Sequence, residues 1–253
     1  MKPLVPQRSL RRVVLALTLA LLAGGCAAPA SGPMPPVAPV QRVGIVSLLG
    51  DRVQWSYFGQ SSLDNRAASV TAADWGLDAA AARAAVRALA PGMTVVTLTP
   101  TPRLRAAVNQ PLTLESWYGT GNAAIVMPAL APVVAGQNLD VVIVLRRANG
   151  DNDTATAARS NGVGVTSRGV APGEANAYLW MVAFAYDLRA QRGISEVAIS
   201  AGSPKPGGRT LRLTALPSDL AAALQAHRAP LADAVVGMFD EYLPPAIKQL
   251  GLQ

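Results

Sequence analysis

Two residue types are nearly missing from the 253-residue chain: there is one His and one Cys. A Cys/His metal cage needs three or four such residues and a disulfide framework at least two Cys, so both are excluded; a Cys–His catalytic dyad would have to take the single Cys and the single His together, and is not expected. Charge is also scarce, at 15% of residues, and lysine is rarer still, with 19 Arg to 3 Lys. Apolar residues make up 51%, so the chain can bury a sizeable core. Long hydrophobic runs are short of membrane length. The strongest is Val13 to Leu22 (VVLALTLALL), ten residues against the roughly 20 a bilayer requires.

That run is flanked by Lys2, Arg8, Arg11 and Arg12, the positive region that precedes a signal-peptide core. Ala23-Gly24-Gly25-Cys26 follows. Small residues before a Cys resemble the bacterial lipoprotein signal, with Ala23 where Leu is commonest. The resemblance implies cleavage after residue 25 and lipidation of Cys26. Several acyl chains, at about 0.8 kcal/mol per buried CH₂, then anchor the protein to the bilayer. Ala27 after the Cys implies the outer membrane, with the folded part on the periplasmic face. Residues 1–25 hold four of the 22 basic residues and none of the 15 acids, so the formal charge of +7 falls to +3 once they are removed. The basic balance is therefore largely an export signal, and no nucleic-acid partner is expected.

Residues 26–41 contain Pro29, Pro33, Pro35, Pro36 and Pro39, a composition that makes an extended, semi-rigid tether. Residues 42–253 are expected to form a single α/β domain, with α+β as the alternative. The sheet is mixed, with about five to seven strands, an opening and a late antiparallel hairpin, and helices packed on it.

The opening hairpin is expected from two strands, 42–50 and 52–60, with Gly50-Asp51 as the turn. A helix over 71–90 should be capped by Thr71 or Asp74 and stopped by Pro91-Gly92. Residues 93–99 read as a strand and 104–109 as a short helix. The stretch 122–136, broken by Pro128 and Pro132, reads as a kinked or short helix. Five apolar residues in a row, Val141 to Leu145, predict a strand buried on both faces. Residues 177–187 alternate, with Tyr178, Trp180, Val182, Phe184 and Tyr186 on one face, and 194–200 pairs back against them. Helices begin at about 218. Leu231, Val235, Met238 and Tyr242 lie at helical spacing and are expected to cover the aromatic stripe, and Pro244-Pro245 should break that helix.

Catalytic motifs are thin. There is no G-x-S-x-G. Gly50-Asp51 and Gly150-Asp151-Asn152-Asp153 are similar to the GDS and GxND blocks of SGNH-type esterases. Arg52, however, stands in the place of the nucleophilic Ser, and Leu224 in the place of the acid that would precede His227. Asp51, Asp151, Asn152 and Asp153 therefore form a speculative ligand loop, with turn chemistry as the plainer reading. A calcium loop built on Asp151 and Asp153 lacks its third ligand at Ala155 and its Gly at Thr156. His227, without a partner ligand nearby, reads as structural. Arg146, Arg147, Arg159 and Arg168 bracket one loop and read as a solvated face. Gly162-Val163-Gly164 reads as a strand whose glycines admit a close approach.

The order of elements from 42 to 200 resembles the small α/β domain of bacterial envelope proteins, such as the curli-secretion lipoprotein CsgG and the N-terminal domain of TolB. Uncharacterised proteobacterial lipoproteins share a similar VSLLGDR opening. Together these cues point to a membrane-anchored cell-envelope lipoprotein acting as a non-enzymatic interaction or assembly module. Its partners would be the bilayer, through Cys26, and an envelope protein, and no cofactor is expected. The alternative is an atypical hydrolase or small-ligand binder using the Asp51 and Asp151–Asp153 loops.

Overall fold

A computed structural model describes residues 36, 38–108, 121–148, 162–168, 174–201, 210–212 and 220–252. Cys26, Asp151, Asn152, Asp153, Arg159 and Ser218 lie outside them, as does most of the tether.

Among the described residues, nine strands form one mixed sheet. They are β1 (Arg42–Leu48), β2 (Arg52–Phe58), β3 (Arg66–Thr71), β4 (Thr94–Thr97), β5 (Val141–Arg147), β6 (Gly162–Arg168), β7 (Glu174–Asp187), β8 (Arg192–Ala201) and β9 (Thr210–Arg212). The α-helices are α1 (Leu77–Val86), α2 (Pro102–Val108), α3 (Gly121–Val134), α4 (Leu220–Ala226) and α5 (Arg228–Gln249). The mixed α/β class is as expected, while the sheet is wider than the five to seven strands foreseen.

The 14-residue strand β7 organises the sheet. Its neighbours β5 and β6 share one edge, end to end. Met181 faces Arg147 and the adjacent Trp180 faces Gly162, while the opposite edge of β7 takes β8 along residues 179–187 and β9 along residues 174–176. Beyond them, β1 runs parallel to β5 and β2 runs parallel to β6. So β1 and β2 lie in line, kinked at residues 49–51, where Gly50 has φ 72.

This corrects the expected opening hairpin. Gly50-Asp51 does not fold β2 back on β1. The antiparallel hairpin near the start is β2–β3, turning near Asp64-Asn65. A Gly-Asp between two apolar runs suits a kink as well as a turn, because side-chain alternation encodes faces rather than partners. The late hairpin, β7 with β8, is as expected, and Asp187 accepts the N–H groups of Arg189 and Ala190 in its turn, each at 2.9 Å.

Two apolar layers sandwich the sheet. On one face α1 and α5 pack against Val43, Ile45, Ile143, Leu145, Met181 and Ala183. On the other, α2 and α3 pack against Val46, Leu48, Val142, Val144, Phe184 and Tyr186. Of the aromatic stripe, Val182, Phe184 and Tyr186 thus belong to the α2–α3 layer, not to the layer under the C-terminal helix as expected. Leu179, Met181 and Ala183, the smaller alternating face of β7, are what α5 covers. Trp180 remains 37% exposed.

Two further expectations are corrected. The helix of 71–90 is shorter, because Thr71 ends β3 and Ala73–Trp75 is a separate 3₁₀ turn. Its cap is Gly76 at φ 60, not Thr71 or Asp74. The second concerns α5, which runs through Pro244 and Pro245 to Gln249. The carbonyls those prolines leave without a donor belong to Asp240 and Glu241, both exposed and open to water, while Leu243, Ala246 and Ile247 hold the two halves to the core.

Candidate functional site

The chain leaves β1 in two directions. By way of β2, β3 and α1 it reaches β4 on one side of β1. From β4 it passes through α2 and α3 on the opposite face to β5 on the other side. In open α/β sheets a crevice forms at such a switch point, outside the carboxyl ends of the strands. A crevice of about 720 Å³ lies there. Its walls are the β1–β2 kink, the first turn of α1, Arg105 from α2 and Arg147 from the end of β5.

Asp78 is the hub. Because Gly76 brings no side-chain cap, the early carboxylate of α1 is free to reach the sheet rather than its own helix. Oδ1 accepts the Ser47 hydroxyl at 2.8 Å and the N–H groups of Leu49 at 2.8 Å and Gly50 at 3.2 Å. Oδ2 accepts from Arg105 at 3.1 Å. Arg105 is presented by a short helix whose start is held by Thr101, which accepts the N–H of Leu104.

Arg147 closes the opposite wall. Its Nε donates to the Leu49 carbonyl and its Nη2 to the Arg52 carbonyl, so it staples both ends of the kink. Burial pushes its pKa down, while the nearby Tyr178, Asp78 and Asp51 push the other way. Gly162 makes room for it: a Cβ there would lie 2.6 Å from Arg147 Cγ and Cδ, at a φ of 69. A Cβ on Gly164 would lie 2.2 Å from the Gln54 carbonyl oxygen. The glycines of β6 therefore do admit a close approach.

Arg146 departs from the solvated face expected of it. It is 1% exposed, points to the α2–α3 side, donates to the Val108 carbonyl at 3.0 Å and lies over the Phe184 ring. Among the described residues its Nε and Nη2 have no hydrogen-bond partner. Burial lowers its pKa, and burial likewise raises that of Tyr186.

Asp51 is an exposed residue on the crevice wall, and of the speculative loop it alone falls within the described residues. His227 stands at the start of α5 and does not line the crevice. The titratable side chains around the crevice are Asp51, Arg52, Asp78, Arg105 and Arg147, with no Ser, Thr, Cys or His among the described lining residues. The described residues contain no group of three His, Cys, Asp or Glu placed to hold a metal, and no helix among them is long and apolar enough to cross a membrane.

Sequence reasoning missed Asp78, Arg105 and Arg147 as a set. An acid at 78 suits the start of a helix, and nothing local to 105 or 147 points at it.

Fold and crevice together define a mixed α/β protein with a polar switch-point crevice. No family model and no curated protein matches the chain. Among solved structures it is similar to protein XCC0632 from Xanthomonas campestris, of family DUF330, at 10% identity and a TM-score of 0.39, over 87% of this chain and 94% of that one. It is also similar to the hypothetical protein CT253 from Chlamydia trachomatis, at 10% identity and a TM-score of 0.37, over 85% of this chain and all of that one. At these scores nothing about the site is carried across, and neither protein is CsgG or TolB.

Proposed function

We propose that the chain is a lipid-anchored protein of the bacterial cell envelope whose folded domain is a non-enzymatic binding module. The observation that carries the non-enzymatic reading is Asp78. In the crevice where an α/β enzyme would place its chemistry, the inner carboxylate already accepts four hydrogen bonds from the chain itself. A carboxylate whose two oxygens are so engaged serves as a tie between helix, kink and Arg105, and leaves little room for a substrate to reach it. The anchor rests on the run Val13–Leu22 and the lone Cys26 behind small residues.

Two measurements test the two halves. Cells fed labelled palmitate should incorporate it in the native chain and not in Cys26→Ser. Label retained by that variant, or absent from the native protein, refutes the anchor. Crosslinking in intact cells followed by affinity capture should recover one specific envelope protein, and recovery of nothing above background refutes the module.

A smaller reading shares the same crevice. Asp51 lines it beside Arg52 and Arg147, an arrangement that suits a small charged ligand.

A further inference from the structure

We infer that the switch-point crevice binds a phosphate-type oxyanion, carried by a lipid headgroup or by a soluble phosphorylated compound. This rests on the reading of the crevice as a binding site and names its ligand class.

Three arginines line the crevice from three separate elements: Arg52 from β2, whose Nε donates to the Ser69 hydroxyl at 3.2 Å, Arg105 from α2 and Arg147 from β5. Two carboxylates, Asp51 and Asp78, oppose them. Asp78 is committed on both oxygens, so it offers little to an incoming cation. Among the described residues neither Arg52 nor Arg147 has a carboxylate within ion-pair distance. Arg147 spends two donors on carbonyls, which fix its plane without neutralising its charge. Arg105 gives one donor to Asp78, and a guanidinium has five. A cavity of about 720 Å³ therefore carries positive charge in excess, on side chains held in place beforehand.

The geometry selects among anions. A planar carboxylate takes one guanidinium fork. Donors arriving from three elements suit a tetrahedral anion with several oxygens. The first turn of α1, without a side-chain cap, adds backbone N–H groups on the same wall.

The test uses the mature lipoprotein in detergent, titrated calorimetrically with inorganic phosphate at constant chloride. Saturable binding is expected. Arg105→Gln should weaken it at least tenfold. So should Ala79→Glu, which sets a carboxylate on an exposed position of the crevice wall and removes no existing contact. Unchanged thermal midpoints show that both variants fold. Absence of saturable binding, or binding that neither variant weakens, overturns the inference. Flotation of the Cys26→Ser chain with vesicles identifies the source. Retention on phosphatidylglycerol but not phosphatidylcholine, lost in Ala79→Glu, assigns a headgroup. Phosphate binding without retention assigns a soluble compound. Failure here leaves acylation and partner capture untouched, so the two readings fall separately.

Discussion

The carboxylate of Asp78 accepts the hydroxyl of Ser47 at 2.8 Å, joining the first turn of α1 to the last residues of β1. The same oxygen takes the two N–H groups of the β1–β2 kink, and its partner oxygen takes Arg105. One side chain thus fixes the wall of the crevice. Asp78→Ala would strand two backbone donors that have no other partner among the described residues. It should cost about 2–6 kcal/mol in urea unfolding, at roughly 1–3 kcal/mol for each donor left unmet. Asp78→Asn, which keeps one acceptor, should cost about half as much.

The β6 glycines give a contrast. Gly162→Ala sets a methyl 2.6 Å from a flexible arginine side chain, at a positive φ. Gly164→Ala sets one 2.2 Å from a backbone oxygen. A side chain can swing away at a cost, and a strand backbone cannot. Gly162→Ala should cost about 1–3 kcal/mol from conformational strain, and Gly164→Ala more. Thermal midpoints of the two variants check the order, and an inverted order would contradict these contacts.

Asp140 sets an acid limit on stability. Burial raises its pKa, but the N–H groups of Gln41 and Arg42 and the guanidinium groups of Arg189 and Arg42 outweigh that and hold it below its ordinary value. A depressed folded-state pKa adds stability that is present above the unfolded value, about 3.9, and is lost as pH falls through the folded one. Unfolding free energy measured from pH 6 to pH 2 should drop across that window. Asp140→Asn should be less stable at pH 6 and lose less on acidification.

Arg146 invites a substitution in the opposite direction. It is buried, with Nε and Nη2 unmet among the described residues. Replacing a buried charge by an apolar side chain of similar volume is often neutral or stabilising, by about 1–4 kcal/mol at most. Arg146→Met should therefore unfold at the same or a higher urea concentration. A marked loss would mean that the Val108 carbonyl and the Phe184 ring hold the charge more firmly than two unmet donors suggest.

Much of the fold was legible. Five apolar residues in a row read as a strand buried on both faces, and β5 is buried along six of its seven residues. The alternation in 177–187 marked β7, and the run 194–200 marked the strand that pairs back on it. Pairing was not legible at β1 and β2, since a kink and a turn use the same residues and only the long-range neighbours β5 and β6 decide between them. The crevice was hidden for the same reason: Asp78, Arg105 and Arg147 meet only after two crossovers. Arg146 misled because a charged pair after a strand normally marks its exit to water, whereas here only Arg147 lies at the edge.

The Asp140 cluster has a mechanical consequence. Any pull arriving through the residues before Gln41 is delivered to a point where Asp140 holds two backbone N–H groups and Arg189 braces the carboxylate. Past that point the load enters β1 along its axis, between parallel neighbours β4 and β5. Hydrogen bonds loaded in shear share the force and fail together, whereas those loaded at a strand's open edge fail singly. The domain is thus wired to resist traction from its amino end.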